Sequence, residues 1–378
     1  MAPRHPYVGL PDYQFWDQQP GSEGGPFFDP VVEVSFGIDL DEPVVTAGSC
    51  FAQTLAHALK RSGFNLLVTE KPHPLLTVDL LQDHHYGLFS ARYGNIYTTR
   101  QLKQLLQRAY GLFEPRETQW EGRSGWLVDP FRPQIQPDGF INAADLEKSR
   151  ETHLAAVRQA VEQLSLFVFT LGLTEAWVDR RDGAVFPLAP GVAGGVYDET
   201  RFAFVNFDFA SVVADLQWSL DFIRAKNPAS KFVLTVSPVQ IKATYEKRHV
   251  SVASSYSKSL LRVAADAVSR ANRRCDYFPS YEMVTSSLSQ GRTYRGDRRT
   301  VRGDVVRHVI SIFMKHYAGI ELPKPANAAA AARKGRNSND SGQAGKKQRR
   351  ANTRGDKHLK EMGEALDVLC DEESITDH

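Results

Sequence analysis

The sequence predicts an α/β protein, a three-layer αβα sandwich around a parallel sheet, and three observations predict it. Short apolar runs that end in small or polar residues recur along the chain, as strands buried on both faces do. Stretches with apolar residues three and four apart separate most of these runs, which places helices on both sides of a sheet. The first run also passes straight into a helical stretch through Gly48-Ser49, a junction that belongs at the carboxyl edge of such a sheet.

The elements follow in order. The first strand is expected at 44–47, followed by a helix over 51–61 with Phe51, Leu55, Ala58 and Leu59 on one face. A second strand is expected at 64–68. A long insertion follows, with turn signals at Tyr93-Gly94-Asn95 and Pro137-Asp138-Gly139 and with Trp120 and Trp126. Leu154, Val157, Val161 and Leu164 mark a helix over 146–164, leading into a third strand at 166–171. A second insertion, 179–207, carries a hairpin signal at Arg181-Asp182-Gly183 and a Gly/Pro-rich run at 190–195. Helices over 209–225, 252–273 and 303–317 alternate with strands at 232–237 and 276–279. Insertions on the loop side of a sheet are expected to shape a substrate pocket.

The formal net charge of +2 is a sum of unlike parts. Residues 1–323 balance 35 basic against 35 acidic side chains. Residues 324–360 carry 11 basic and 2 acidic, and residues 361–378 carry 7 acidic and none basic. A balanced body gives no electrostatic reason for a nucleic-acid groove. Residues 1–322 are therefore expected to form one domain. The tail 323–378 has too little apolar surface to order itself and is expected to be disordered, basic and then acidic. Its run Lys346-Lys347-Gln348-Arg349-Arg350 and a short amphipathic stretch at 359–370 are where a partner would act. Cys50, Cys275 and Cys370 make neither a disulfide scaffold nor a CxxC metal site, in keeping with a reducing, cytoplasmic setting. No apolar leader is read at the N-terminus, and the longest apolar stretch, 164–173, is about half of what a spanning helix needs.

Chemistry is expected at Pro43-Val44-Val45-Thr46-Ala47-Gly48-Ser49-Cys50-Phe51-Ala52. Ser49 has two readings: an N-cap that satisfies the helix start, or a nucleophile with backbone N–H groups beside it. Phe51 breaks G-x-S-x-G, so the α/β-hydrolase elbow is disfavoured. Cys50 offers a thiol in the first helical turn, or simply a small buried hydrophobe. His84-His85 with Asp79 and Asp83 lacks metal-ligand spacing, and no phosphate-cradling glycine motif is present, so neither a metal nor another cofactor is expected.

Gly48-Ser49-Cys50-Phe51-Ala52 resembles the signature of the GSCFA family, within the wider SGNH/GDSL-like hydrolase group. Further similar blocks are Tyr93-Gly94-Asn95-Ile96-Tyr97, Phe169-Thr170-Leu171-Gly172-Leu173-Thr174-Glu175-Ala176-Trp177, Leu234-Thr235-Val236-Ser237-Pro238-Val239, Tyr256-Ser257-Lys258-Ser259 and Tyr277-Phe278-Pro279-Ser280-Tyr281-Glu282. The resemblance covers roughly residues 30–317. It implies the flavodoxin-like strand order 2-1-3-4-5, with the site between the first and third strands. It also implies a serine esterase or O-acyltransferase acting on a small-molecule or saccharide ester. Ser49 would be the nucleophile. The backbone of Ser49 and Cys50, with Gly94 and Thr174, would hold the oxyanion, and Thr174 would stand where the group carries Asn. Gly172 and Glu175 complete that block. Asp297 matches the Asp of an Asp-x-x-His, but Thr300 stands where the His belongs. His249, in the loop after the fourth strand, is either a substitute base at the crevice or an ordinary loop residue. The alternative is a binding protein that keeps the crevice without the triad. His308 is expected to face solvent and His316 to pack.

Overall fold

The computed structural model describes residues 5–18, 27–289, 291–321 and Ile375. In chain order the elements begin with β1 (Val44–Gly48), α1 (Cys50–Arg61), α2 (Val78–Asp83), α3 (Thr99–Ala109), β2 (Trp120–Glu121) and β3 (Leu127–Val128). Next come α4 (Ala143–Gln163), β4 (Leu166–Leu171), β5 (Glu175–Asp179), β6 (Val185–Phe186) and β7 (Phe202–Asn206). The chain continues through α5 (Phe209–Lys226), β8 (Lys231–Val236), α6 (Val250–Ala271), β9 (Cys275–Tyr277), α7 (Ser280–Thr285) and α8 (Gly303–Ala318).

The central sheet is parallel throughout, in the order β1-β4-β8-β9. Alternate side chains of each strand enter opposite layers, as the pleat dictates. Val45, Phe167, Phe169, Leu171, Phe232 and Leu234 pack with α3, α4, α5 and α6 on one face. Val44, Leu166, Val168 and Val233 pack with α1, α7 and α8 on the other. The result is the expected αβα sandwich. Among the described residues no helix is long and apolar enough to cross a membrane.

The second strand is the main departure. Residues 64–68 form no strand; Leu66 makes a single parallel bridge to Val44, on the side of β1 away from β4. Two hydrogen bonds hold it there, Val44 N–H to Asn65 O and Leu67 N–H to Val44 O, both 2.9 Å. Thr69 then turns its N–H to Ser90 O in the first insertion, so pairing with β1 ends after one bridge. The position next to β1 is kept while the strand is lost.

The two insertions share one small core of Trp120, Val128, Ala184, Phe186 and Phe202. β2 pairs antiparallel with β3, and β5 with both β6 and β7. The Gly/Pro-rich run is where the second insertion folds over the first: a Cβ on Gly195 would stand 2.9 Å from the Trp120 ring. Only glycine permits that approach.

His308, expected at the surface, is buried instead. Its Nε2 lies 2.8 Å from the Phe28 carbonyl oxygen, and its ring packs 5.1 Å from that of Phe27. A segment from before β1 crosses the face of α8 that its own periodicity leaves polar. The same segment supplies Asp29, which pairs with Lys315 and with His316 Nε2 at 2.7 and 2.9 Å. The basic-then-acidic tail, with its Lys346–Arg350 run and the stretch at 359–370, lies outside the described residues apart from Ile375.

Polar side chains are buried between α4 and the first insertion. His153 of α4, 1% exposed, places Nδ1 2.8 Å from Glu70 Oε2. Burial, then the charge of Arg132, pushes the His153 imidazole down to about 4 from an ordinary 6.5. Between those values the unfolded chain takes up a proton that the folded chain refuses, so stability falls as pH falls from 6.5 to about 4. The thermal midpoint should therefore drop by on the order of several °C across that window. Burial also pulls His85 down to about 4, so His153→Gln, which keeps a donor for Glu70, should reduce the drop without abolishing it in a pH-dependent thermal melt.

Candidate functional site

The site is built on the end of β1. Gly48 has φ +135°, and a Cβ there would stand 2.3 Å from the Thr170 carbonyl oxygen of the paired strand. No other residue fits, because both the conformation and the space exclude a side chain. The chain leaves this contact as Ser49, the N-cap of α1, with extended backbone (φ −75°, ψ −177°).

Two clamps bring the other sequence-predicted blocks to Ser49. The Gly48 carbonyl accepts the Ile96 N–H at 2.8 Å, tying the segment that contains Gly94 to the junction. The Tyr97 carbonyl in turn accepts the N–H groups of Gly172 and Leu173 at 3.1 and 3.0 Å. Gly172 lies beneath the serine: a Cβ on it would be 3.1 Å from Ser49 Cβ and 3.0 Å from Tyr97 O. Gly94 makes its turn with φ +69°.

Ser49 does not behave as a cap. Thr98, Asn142 and Asp208 each accept the N–H three residues ahead at the starts of α3, α4 and α5. Ser49 makes no side-chain cap bond. Its Oγ is buried, the residue is 3% exposed, and the hydroxyl has no hydrogen-bond partner. Leaving a buried hydroxyl unpaired costs on the order of 1–3 kcal/mol. The Thr46 and Thr170 hydroxyls of β1 and β4 are likewise buried and unpaired, so what singles out Ser49 is an unspent hydroxyl at a helix start, which suits a group kept for another molecule.

Behind Gly172 the structure adds two residues to which sequence reasoning gave no role. Ser257 Oγ accepts both the Thr174 N–H (3.0 Å) and the Thr174 hydroxyl (3.1 Å). Lys258, 1% exposed, donates from Nζ to the Gly172 carbonyl at 2.5 Å. The signal was present in the periodicity. Ala253, Ser257, Leu261, Ala264 and Val268 form the buried stripe of α6, and Lys258 lies within it, where a charge does not belong without a purpose.

The remaining predicted residues sit apart in their contacts. Glu175 opens β5 and accepts the Thr244 hydroxyl at 2.9 Å; burial, with the nearby charge of Glu246, raises its carboxyl above the ordinary value. His249 is exposed and caps α6, its Nδ1 2.7 Å from Ser251 Oγ. Asp297 holds an exposed turn, accepting the N–H groups of Arg299 (3.0 Å) and Thr300 (2.9 Å) and the Thr300 hydroxyl. These bonds outweigh its partial burial and keep its carboxyl below the usual range. Neither His249 nor Asp297 is hydrogen-bonded to Ser49. Cys50 is buried in the first turn of α1. Among the described residues, no group of three or more His, Cys, Asp or Glu side chains could hold a metal ion.

Removing the Ser49 hydroxyl discriminates between cap and unused group. Ser49→Ala should leave stability within about 0.5 kcal/mol of the parent, or raise it, in denaturant unfolding. A working cap would lose about 1 kcal/mol.

Comparison with known proteins adds one finding. A sequence model of the GSCFA family matches residues 43–313, which takes in β1 through most of α8. No curated protein and no solved structure matches the chain.

Proposed function

We propose that this chain, which belongs to the GSCFA family, is a serine-dependent enzyme of ester chemistry. In this reading it hydrolyses an O-acyl group or moves it between hydroxyls, on a small-molecule or saccharide ester. The observation that carries the reading is the Ser49 hydroxyl, buried at a helix start yet spent on no bond. The strand order adds support. β1 and β4 are neighbours although they are distant in sequence, and a crevice at that switch is where open α/β sheets bind ligands. The resemblance to SGNH-like hydrolases assigns the same crevice.

In this mechanism Ser49 Oγ attacks the acyl carbon as the base takes its proton, and the ester's alcohol leaves with that proton as the acyl-serine forms, to be released by water or an acceptor hydroxyl. The backbone N–H groups of Cys50 and Gly94 meet the oxyanion, and the Ser49 N–H joins them on leaving the Thr170 carbonyl, to which it donates at 3.3 Å. Thr174 joins them if its hydroxyl turns from Ser257 to the substrate. Lys258 keeps the Gly172 carbonyl in place, which in turn keeps the floor under Ser49. His249 is the imidazole base and Asp297 its orienting carboxylate; both must exchange their present local bonds when substrate arrives.

A second reading has its own observation. Thr300 occupies the position of the expected His and bonds to Asp297, so that pair forms a turn and not a relay. On that reading the crevice binds an ester-like ligand without turning it over, and the tail recruits a partner.

A fluorophosphonate probe separates the two. The enzyme reading expects covalent labelling of the purified chain that disappears in Ser49→Ala. The binding reading expects no labelling, with the same background esterase rate in both proteins.

A further inference from the structure

Away from Ser49, the first insertion and α3 bring together charges that do not balance. The carboxylates are Glu70 and Asp129. Glu70 is shared by Arg92 (3.5 Å), Arg132 (3.7 Å) and His153. Asp129 is shared by Arg132 (3.1 Å) and Arg150 (3.8 Å). Arg108, near the end of α3, has no carboxylate of the described residues within 4.0 Å. Its guanidinium carbon lies 3.8 Å over the Phe131 ring, the residue is 8% exposed, and Nη2 is buried without a hydrogen-bond partner. Four guanidiniums thus face two carboxylates. Burial pulls the Arg108 guanidinium down to about 10, which still leaves it charged at neutral pH.

The surplus charge faces a space. Arg108, Arg132 and His153 line one cavity of about 30 Å³, walled also by Tyr93, Phe131 and Val185. His153 Nε2, across the ring from the Glu70 contact, is buried and unpartnered as well. The Asp129 charge reaches Arg108 but is already shared with Arg132 and Arg150, and a guanidinium with spare N–H groups is satisfied best by a carboxylate in the same plane. The cavity takes a head group and not a whole sugar.

We propose that this cavity is a binding site for the carboxylate group of a small anion, held by Arg108 and Arg132. His153 Nε2 is placed to accept a hydrogen bond from a hydroxyl on the same ligand. The proposal is independent of the chemistry assigned to Ser49. One wall is nonetheless shared: Asn95 and Ile96 border the cavity, and their segment is tied to Gly48 through the Ile96 N–H.

Formate is the probe, titrated calorimetrically into the full chain at constant ionic strength in a zwitterionic buffer. Saturable binding of one formate per chain is expected. Arg108→Gln, which removes the charge, should weaken it at least tenfold. Val185→Ile fills the cavity without touching a charge and should weaken it likewise, so the test survives if Arg108→Gln does not fold. No saturable binding to the parent, or unchanged binding in Val185→Ile, overturns the proposal. Competition by glucuronate would show that the carboxylate arrives on a larger molecule; competition by acetate alone would show a free small anion. Either result keeps the carboxylate site.

Discussion

Everything around Ser49 depends on the contact between Gly48 and the Thr170 carbonyl. A Cβ at Gly48 would come within 2.3 Å of that oxygen, so β1 and β4 can run side by side to their ends only because the side chain is missing. The chain then turns outward at once, and α1 starts directly over the end of β4. Ser49 is left above Gly172, which is bare for the same reason. Two glycines on neighbouring strands therefore set the position of one hydroxyl. The segment around Gly94 is fastened to both of them by backbone hydrogen bonds through Ile96 and Tyr97.

This rigidity explains why an unpaired hydroxyl persists. The cost of burying Ser49 Oγ without a partner is carried by a junction whose backbone is held by strand pairing and by the clamps through Ile96 and Tyr97, and Ser49 differs from Thr98, Asn142 and Asp208, which do cap the starts of α3, α4 and α5. Lys258 extends the same logic to the next layer. Its amine is aimed at the Gly172 carbonyl from inside the sandwich, so the polar groups of α6 hold the Gly172–Thr174 turn while the rest of its buried stripe serves the core.

The layered sheet was legible because its strands are buried on both sides, and such strands read as unbroken apolar runs. The GSCFA signature and its companion blocks pointed to three segments that the fold does bring together, at Ser49, Gly94 and Gly172. The second strand misled, because the apolar residues at 64–68 serve one bridge and two cores and do not form a ladder. His308 misled because a helical wheel knows only its own helix, and the covering segment with Phe28 lies 280 residues away. The buried charges were invisible for a related reason. Glu70, Arg92, Arg108, Asp129 and Arg132 of the first insertion and His153 of α4 follow no spacing motif, and only the fold makes them neighbours.

The central claim is that Ser49 is held unbonded because it forms a bond to an acyl group. The direct measurement is peptide mapping of the chain after brief exposure to an activated acetyl ester at neutral pH, quenched in acid. The account predicts one acetyl group on Ser49, gained faster than on any other hydroxyl and lost again when an acceptor is supplied. Acetylation confined to surface lysines, with Ser49 unmodified, would contradict it.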